Sequence, residues 1–380
     1  MTDAAAPGYA HRLDRARDGM RSRGVAALLV GVGADLRYLT GYTAHALERL
    51  TLLVLPADGR SVMVVPRLES MAAAGCAAAA QGLVEIEAWE ETDDPYALVA
   101  RQLAPEPGLL LVDAALPARH LLALQGALPH RTFGLATDVM RDQRIVKGAD
   151  EIELLRRAAH AADRVVAQIA TGRLVGRTEA EVSREVRERL VAEGHEAASF
   201  AIVGSGPNGA SPHHEASERV IQAGEPIVLD IGGTLQGYGS DITRMLWVTG
   251  GDPAKQPTDD FRRVFDAVHA AHAAATAAVL PGMSGAALDE TARDVLRDAG
   301  LADQFIHRLG HGIGLEAHED PYLVASNDQP IAVGNAFSIE PGAYLAGRFG
   351  VRIEDIVVCG PNGADVLNEA PRDLLVVAGT

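Results

Sequence analysis

The chain has 380 residues, 48% of them hydrophobic and only 4% aromatic, with a net charge of −17. That length points to two domains with ample apolar material, their cores filled by Ala, Val and Leu rather than by rings. The negative charge argues against nucleic acid and against an anionic membrane surface as partners, and no apolar run reaches the roughly 18 residues of a membrane span.

In chain order, VAALLVGV (25–32), TLLVLP (51–56), SVMVVP (61–66) and GLLLVD (108–113) read as strands. ARDGMRSRG, PRLESMAAAG and PARHLLALQGAL read as helices, the second entered by Pro66 and closed by Gly75. Residues 1–143 therefore read as an α/β domain, and the charged stretch MRDQRIVKGADEIE (140–153) as the passage into a second domain, 144–380. The opening segment MTDAAAPGYAHRLDRARDGM has no apolar core of a leader, so a cytoplasmic protein is expected. Cys76 and Cys359 are far apart and outside any CxxC pattern, which suggests neither a disulfide framework nor a thiolate metal site.

The second domain carries an internal repeat. Helix 151–171 is followed by a helix opened by the capping box Thr178–Glu181 and stopped at Gly194. Helix 258–280 is followed by one capped by Ser284 and stopped at Gly300. Thr178 and Ser284 are 106 residues apart, as are Gly194 and Gly300, while His213 and His318 are 105 apart. Each helix pair leads to a hairpin. The expectation is an α+β domain of two αα-ββ halves about a pseudo-two-fold, with a site between them.

Both hairpins carry paired acids. In PIVLDIGGTLQGYGSDITRMLWVTG, Asp230 and Asp241 are equidistant from the Leu235–Gln236 centre and are expected to stand opposite each other on one face. In NAFSIEPGAYLAGRFGVRIEDIVVC, Glu340 and Glu354 are equidistant from Gly347. Any one of these acids reads equally well as part of a polar turn. Two symmetric pairs with a glycine-flanked histidine, His311 in LGHGIG, do not. Four converging carboxylates repel unless cations neutralise them, and two divalent ions balance them.

A set of Asp230, Asp241, His311, Glu340 and Glu354 without thiolate favours hard or borderline ions: Mn²⁺, Co²⁺, Fe²⁺ or Zn²⁺. Five ligands shared by two ions leave positions for water, which suits hydrolysis by a hydroxide bridging the pair. No GxSxG elbow, Cys/His nucleophile or P-loop competes, and GSGPNG (204–209) reads as a loop. His213 and His318 are candidates to hydrogen-bond the developing oxyanion and the substrate backbone, against the ordinary alternative of solvated loop histidines. His214, adjacent, is expected to point away. Arg352 either stabilises developing charge or simply pairs with Glu354. Thr243 and Ser240 are candidate supporting donors.

The segments DIGGTLQGYGSDITR, HGIGLEAHE, SIEPGAY and GVRIED resemble the signatures of the pita-bread metallopeptidases, which include methionine aminopeptidase, aminopeptidase P and prolidase. The resemblance covers roughly 145–375. DLRYLTGY and ERLTLLVLP resemble the creatinase-like, RNase H-like N-terminal domain of the Xaa-Pro-cleaving members, which methionine aminopeptidases lack. The resemblance implies a dinuclear centre, of Mn²⁺ or Co²⁺ type. In it Asp230 is bidentate to one ion, Asp241 and Glu354 bridge, His311 binds one ion, and Glu340 is both ligand and proton shuttle. It implies accessory roles in catalysis and substrate binding for His213, His318 and Arg352, and a homodimer. Creatinase shares the fold without the metal ligands.

The implied substrates are small peptides with proline in second position, whose tertiary amide leaves as an imino nitrogen that must be protonated. One position departs from the pattern. Some prolidases carry an arginine after the HE of this segment to hold a dipeptide's carboxylate, where HEDPYLV places Tyr322. An aminopeptidase P acting on longer peptides therefore competes with a Xaa-Pro dipeptidase. His45, on the loop after LTGY, is a candidate substitute anchor that reaches the neighbouring subunit's site in the implied dimer. Further rivals are a hydrolase of non-proline amides and a non-catalytic pita-bread binding protein.

Overall fold

The structure, a computed structural model, describes residues 8–380; the first seven positions of the opening segment read above lie outside it. The chain divides into two compact units, Met1–Arg144 and Ile145–Thr380. Among the described residues no helix is long and apolar enough to cross a membrane.

The first unit is built on one six-stranded sheet. Its strands are β1 (Val25–Val30), β2 (Leu52–Pro56), β3 (Ser61–Pro66), β4 (Val84–Trp89), β5 (Leu109–Val112) and β6 (Thr132–Leu135), in the order β4-β3-β2-β1-β5-β6. The inner strands are the apolar runs expected from the sequence, because both of their faces are covered. β1–β2 and β2–β3 pair antiparallel, whereas β3–β4, β1–β5 and β5–β6 are parallel. Parallel neighbours need crossovers: the short helices Ser70–Ala74 and Ala77–Ala80 carry the chain from β3 to β4, and Ala118–Ala127 carries it from β5 to β6. β4 and β6 went unread because they are the sheet's edges and only partly buried, so VEIEAW and TFGL lack an apolar run. The PRLESMAAAG helix is split into a 3₁₀ turn, Arg67–Glu69, and a short α-helix, Ser70–Ala74. DLRYLTGY forms helix Ala34–Thr40, closed by Gly41 at φ 73°.

The second unit repeats one pattern twice. Helices Ala149–Ala170 and Glu179–Ala192 precede β7 (Ala197–Ser205), β8 (Glu225–Leu235) and β9 (Tyr238–Val248). Helices Asp259–Ala277 and Gly285–Asp298 precede β10 (Gly310–Gly312), β11 (Glu319–Leu323), β12 (Ala336–Ile339), β13 (Gly342–Leu345), β14 (Phe349–Arg352), β15 (Asp355–Gly360) and β16 (Gly363–Val366). A last strand, β17 (Leu375–Val377), joins β9 in parallel.

The repeat extends to backbone bonds. Thr178 bridges Val220 as Ser284 bridges Pro330, and Gly176 N donates to Ile221 O (3.0 Å) as Gly282 N does to Ile331 O (2.8 Å). Thr178 closes the expected capping box: its hydroxyl accepts from Glu181 N at 3.2 Å and its N–H donates to Glu181 Oε2 at 2.9 Å.

Each half has its own core. Leu229, Ile231, Ile242 and Leu246 pack with Val165, Val186 and Leu190 of the first helix pair. Val228 and Met245 instead pack with Phe261, Leu288 and Phe337 of the second half. Because side chains alternate along a strand, the residues sharing a face with Val228 and Met245 are Asp230, Gly232, Asp241 and Thr243. The acids of β8 and β9 therefore point toward the second half.

Candidate metal centre

The β8–β9 register differs slightly from the symmetric hairpin expected. Leu235 pairs with Tyr238, and the turn residues Gln236 (φ 49°) and Gly237 (φ 86°) both have positive φ. Asp230 thus faces Thr243, and Asp241 faces Gly232. The two acids are diagonal neighbours, two residues out of direct opposition and so still on one face. The turn sits one residue later than expected, which moves the register by two and preserves the face.

The second hairpin keeps its expected centre at Gly347 but breaks where the acids sit. Ile339 pairs with Asp355 in one sheet and Gly342 with Arg352 in a separate ribbon. In the gap, Glu340 N donates to Leu309 O (2.9 Å) and Glu354 N to Thr243 O (3.2 Å). Pro341, which has no N–H, occupies the break.

Glycines let the histidine strand in. A Cβ at Gly310 would lie 1.9 Å from Ser338 O, and one at Gly312 would lie 2.3 Å from Asp320 O. His311 Nδ1 hydrogen-bonds Gly312 O at 3.1 Å. A carbonyl can only accept, so Nδ1 carries a proton and Nε2 is the nitrogen that faces inward. Without metal, burial lowers this imidazole, but the hydrogen bond and charge of Glu340 and the charge of Asp241 outweigh it and raise it, so Nε2 is protonated toward Glu340. Loss of that proton would free Nε2 to ligate an ion. That nitrogen lies 3.2 Å from Glu340 Oε1 and 3.7 Å from Asp241 Oδ2. Asp241, His311 and Glu354 each offer a ligand atom within 4.8 Å of the others, and all three are buried. Asp230 Oδ1 is buried with no hydrogen-bond partner, while Oδ2 accepts from Arg352.

Burial, then the neighbouring Asp230, pushes the Asp241 carboxyl well above its usual range; burial, then Asp241, Glu340 and Asp230, does the same to Glu354. Burial pushes Glu340 up too, but the hydrogen bond and charge of His311 outweigh it and hold its carboxyl below the ordinary range. Four carboxyl groups set against one guanidinium and one imidazole, with one oxygen orphaned, are short of positive charge, and divalent ions fit the site in both charge and donor type.

Arg352 does not pair with Glu354 as the simpler expectation had it. It pairs with Asp230 and donates to Thr243 Oγ1 (3.1 Å), Tyr344 Oη (2.6 Å) and Pro212 O (3.3 Å). Thr243 in turn donates to Glu354 Oε2 at 2.7 Å. Ser240 serves elsewhere, bonding His195 Nε2 at 2.8 Å.

Tyr344 and His307 escaped the sequence reading. Burial pushes the Tyr344 hydroxyl up to about 12 against the influence of Arg352, and the hydroxyl bonds His307 Nε2 at 3.0 Å. Hairpin parity was the available signal, since Tyr344 shares a face with Glu340 and Arg352.

His318 is exposed along one side but has its ring centroid 3.9 Å from that of His311; this partial burial of the imidazole, then the charge on His311, holds it down to about 4. His213 is exposed next to Pro212, whose carbonyl Arg352 binds. His214 turns away, as expected, to Glu179 Oε2 at 2.8 Å. Tyr322 is half-buried beneath Arg308. His45 is exposed on the loop between helix Ala34–Thr40 and β2 of the first unit. GSGPNG is the end of β7 followed by a 3₁₀ turn, Gly206–Ala210, rather than a loop throughout.

The profile of metallopeptidase family M24 matches residues 153–361, and that of the creatinase/prolidase N-terminal domain matches residues 12–146. The chain belongs to metallopeptidase family M24. Among solved members, dipeptidase PepE from Mycobacterium ulcerans is 48% identical, with a TM-score of 0.90 over 97% of this chain and 98% of that one. A prolidase from Thermococcus sibiricus is 32% identical, with a TM-score of 0.89 over 98% and 100%. The Xaa-Pro dipeptidase of Lactobacillus delbrueckii subsp. lactis is 32% identical over 96% of this chain and 98% of its own. The architecture is the one that the sequence resemblance implied: a creatinase-type N-terminal domain followed by the M24 pita-bread domain. This M24 chain is a metallopeptidase that uses divalent metal ions.

Proposed function

We propose that the chain is a Xaa-Pro dipeptidase, releasing proline from dipeptides, with Asp230, Asp241, His311, Glu340 and Glu354 holding two ions, most simply Mn²⁺. The observation that carries the reading is the convergence of these side chains in one buried cluster, with Asp230 Oδ1 unpartnered. The naming of its similar proteins as prolidases and Xaa-Pro dipeptidases supports the substrate class. When bound, the two ions supply positive charge, acidify water toward neutrality and polarise the scissile carbonyl.

The residues do the rest. Glu340 takes the proton of the attacking water and passes it to the departing proline nitrogen. His318 and His213, on exposed segments beside the centre, hold the carbonyl oxygen and the peptide backbone. Arg352 fixes Asp230 through charge and Thr243 through a hydrogen bond, so a ligand and a ligand's donor are set by one guanidinium. The domain boundary read from the sequence, 143/144, lies one residue before the division between the compact units, and the working form is a cytoplasmic homodimer in which His45 of the first domain is a second candidate for substrate contact.

The deciding experiment compares proline release from Ala-Pro with Ala release from Ala-Pro-Ala, using chelator-treated protein with and without Mn²⁺. Metal-dependent cleavage of Ala-Pro in preference to the tripeptide is expected. Preference for the tripeptide would make the chain an aminopeptidase P, the reading that Tyr322 leaves open. Inactivity on both, with two ions bound, would overturn the proline reading.

A further inference from the structure

Arg308 is a cation held ready beside the centre with nothing to bind. Its Cζ lies 4.3 Å from the centroid of the Tyr322 ring, it is only half-buried, and no carboxylate or carbonyl among the described residues takes its N–H groups. The segment that carries it is rigid. Leu309 N is shared between Asp289 Oδ1 (2.8 Å) and Leu323 O (3.0 Å), and Arg293 donates to Phe305 O (3.1 Å) and His307 O (2.6 Å).

The other cations nearby are committed. Arg352 is taken up by Asp230, Thr243, Tyr344 and Pro212, and Lys147 pairs with Glu319 at 2.7 Å.

Stacking occupies the face of a guanidinium and leaves its in-plane donors free. Those donors form a planar fork that matches a carboxylate at two points. A dipeptide with proline second presents such a carboxylate at a fixed distance from its one peptide bond. We infer that Arg308, presented across the ring of Tyr322, binds the free carboxylate of the substrate's proline and so selects dipeptides over longer chains. The inference rests on the Xaa-Pro reading of the same site. It also gives Tyr322 a use: standing where a direct anchor would stand, its ring supports the guanidinium of Arg308 instead.

The test measures kcat/KM for Ala-Pro and for Ala-Pro-amide, which lacks the carboxylate, with Mn²⁺-loaded wild-type, Arg308→Gln, Arg308→Lys and His45→Ala proteins. Arg308→Gln should lower the preference for Ala-Pro over its amide by about ten- to a hundredfold, the change residing in KM, as expected for loss of a charge-assisted pair. Arg308→Lys, which keeps the charge without the fork, should lose part of that preference, and it decides the matter if the glutamine variant fails to fold. Equal proportional loss on both substrates, no change in preference, or a loss confined to His45→Ala would overturn the assignment. Wild-type protein inactive on both substrates would overturn the Xaa-Pro reading and this role with it, a result distinct from failure of the variants alone.

Discussion

Glu340 and Glu354 stand at the same step of one hairpin register, yet neither backbone bonds the opposite strand of that hairpin. Glu340 N turns to Leu309 O and Glu354 N to Thr243 O, so the two acids are fixed by the histidine segment and by the strand of Asp241 respectively. The break in the ladder lets carboxylates from both halves reach one point.

The link from Thr243 to Glu354 is testable without touching a ligand. Thr243→Val keeps the shape of the side chain and removes the hydroxyl that donates to Glu354 at 2.7 Å and accepts from Arg352 at 3.1 Å. Metal affinity or activity should fall about 10- to 100-fold, the usual cost of losing a ligand's supporting partner. Titration of Mn²⁺ by calorimetry measures it, and affinity equal to wild type would refute the coupling.

Chelation should change both the stability and its pH dependence. Asp241 and Glu354 are pushed up by burial first and by neighbouring acids second. Raised folded values mean that their contribution is present at pH values below the ordinary carboxylate range and lost as pH rises through the raised values. The metal-free protein should therefore melt lower as the solution moves from acid toward neutral. Mn²⁺ at a hundred times its Kd should restore about 2.7 kcal/mol per independently binding ion. Melting curves with and without chelator across that range test the prediction, and parallel curves would contradict it.

Arg352→Met removes the partner of Asp230, which is itself buried. Leaving a buried charge uncompensated costs about 3–5 kcal/mol, so the metal-free variant should show a lower midpoint in urea. Bound metal should recover part of the loss, because it supplies charge to the same carboxylate.

Glu179 organises the segment that carries His213. Its side chain accepts from Ser205 N (2.8 Å), Ser217 N (3.1 Å), Asn208 Nδ2 (3.0 Å) and His214 Nε2 (2.8 Å). Burial pushes this carboxyl up, but the bonds from Ser217, His214 and Ser205 outweigh it and hold it at about 2, below the ordinary 4.5. A depressed value gives stability that is present above pH 4.5 and lost as pH falls through about 2. Glu179→Gln should cost about 1–3 kcal/mol near neutrality. Its gap from wild type should close over that acid interval, and kcat/KM should fall as the His213 segment loosens. A gap independent of pH would rule out the carboxylate as its source.

Much of this site was legible because hairpins obey parity. Counting in twos from either turn puts Asp230 with Asp241 and Glu340 with Glu354, whatever fills the loop. What the count could not supply was the partner of Arg352. Two residues from Glu354 along the strand, it reaches across the half-boundary to Asp230, a choice made by tertiary packing. Arg308 and Tyr322 were hidden for the same reason, since their stack joins residues fourteen apart around the bend that follows His311. In the first unit the inner strands were plain and the edges were not, because a strand with one open side carries no continuous apolar run.

The diagonal seating of Asp230 and Asp241 has a bearing on how such hairpins can change length. A single residue inserted between Asp230 and the Gln236–Gly237 turn, with pairing kept, would swing Asp230 from the acid cluster onto the side packed by Val165 and Val186. A second insertion would swing it back. Descent with modification can therefore lengthen this arm in even increments while the odd ones are purged, and indels between Asp230 and the turn in the wider family should come in pairs.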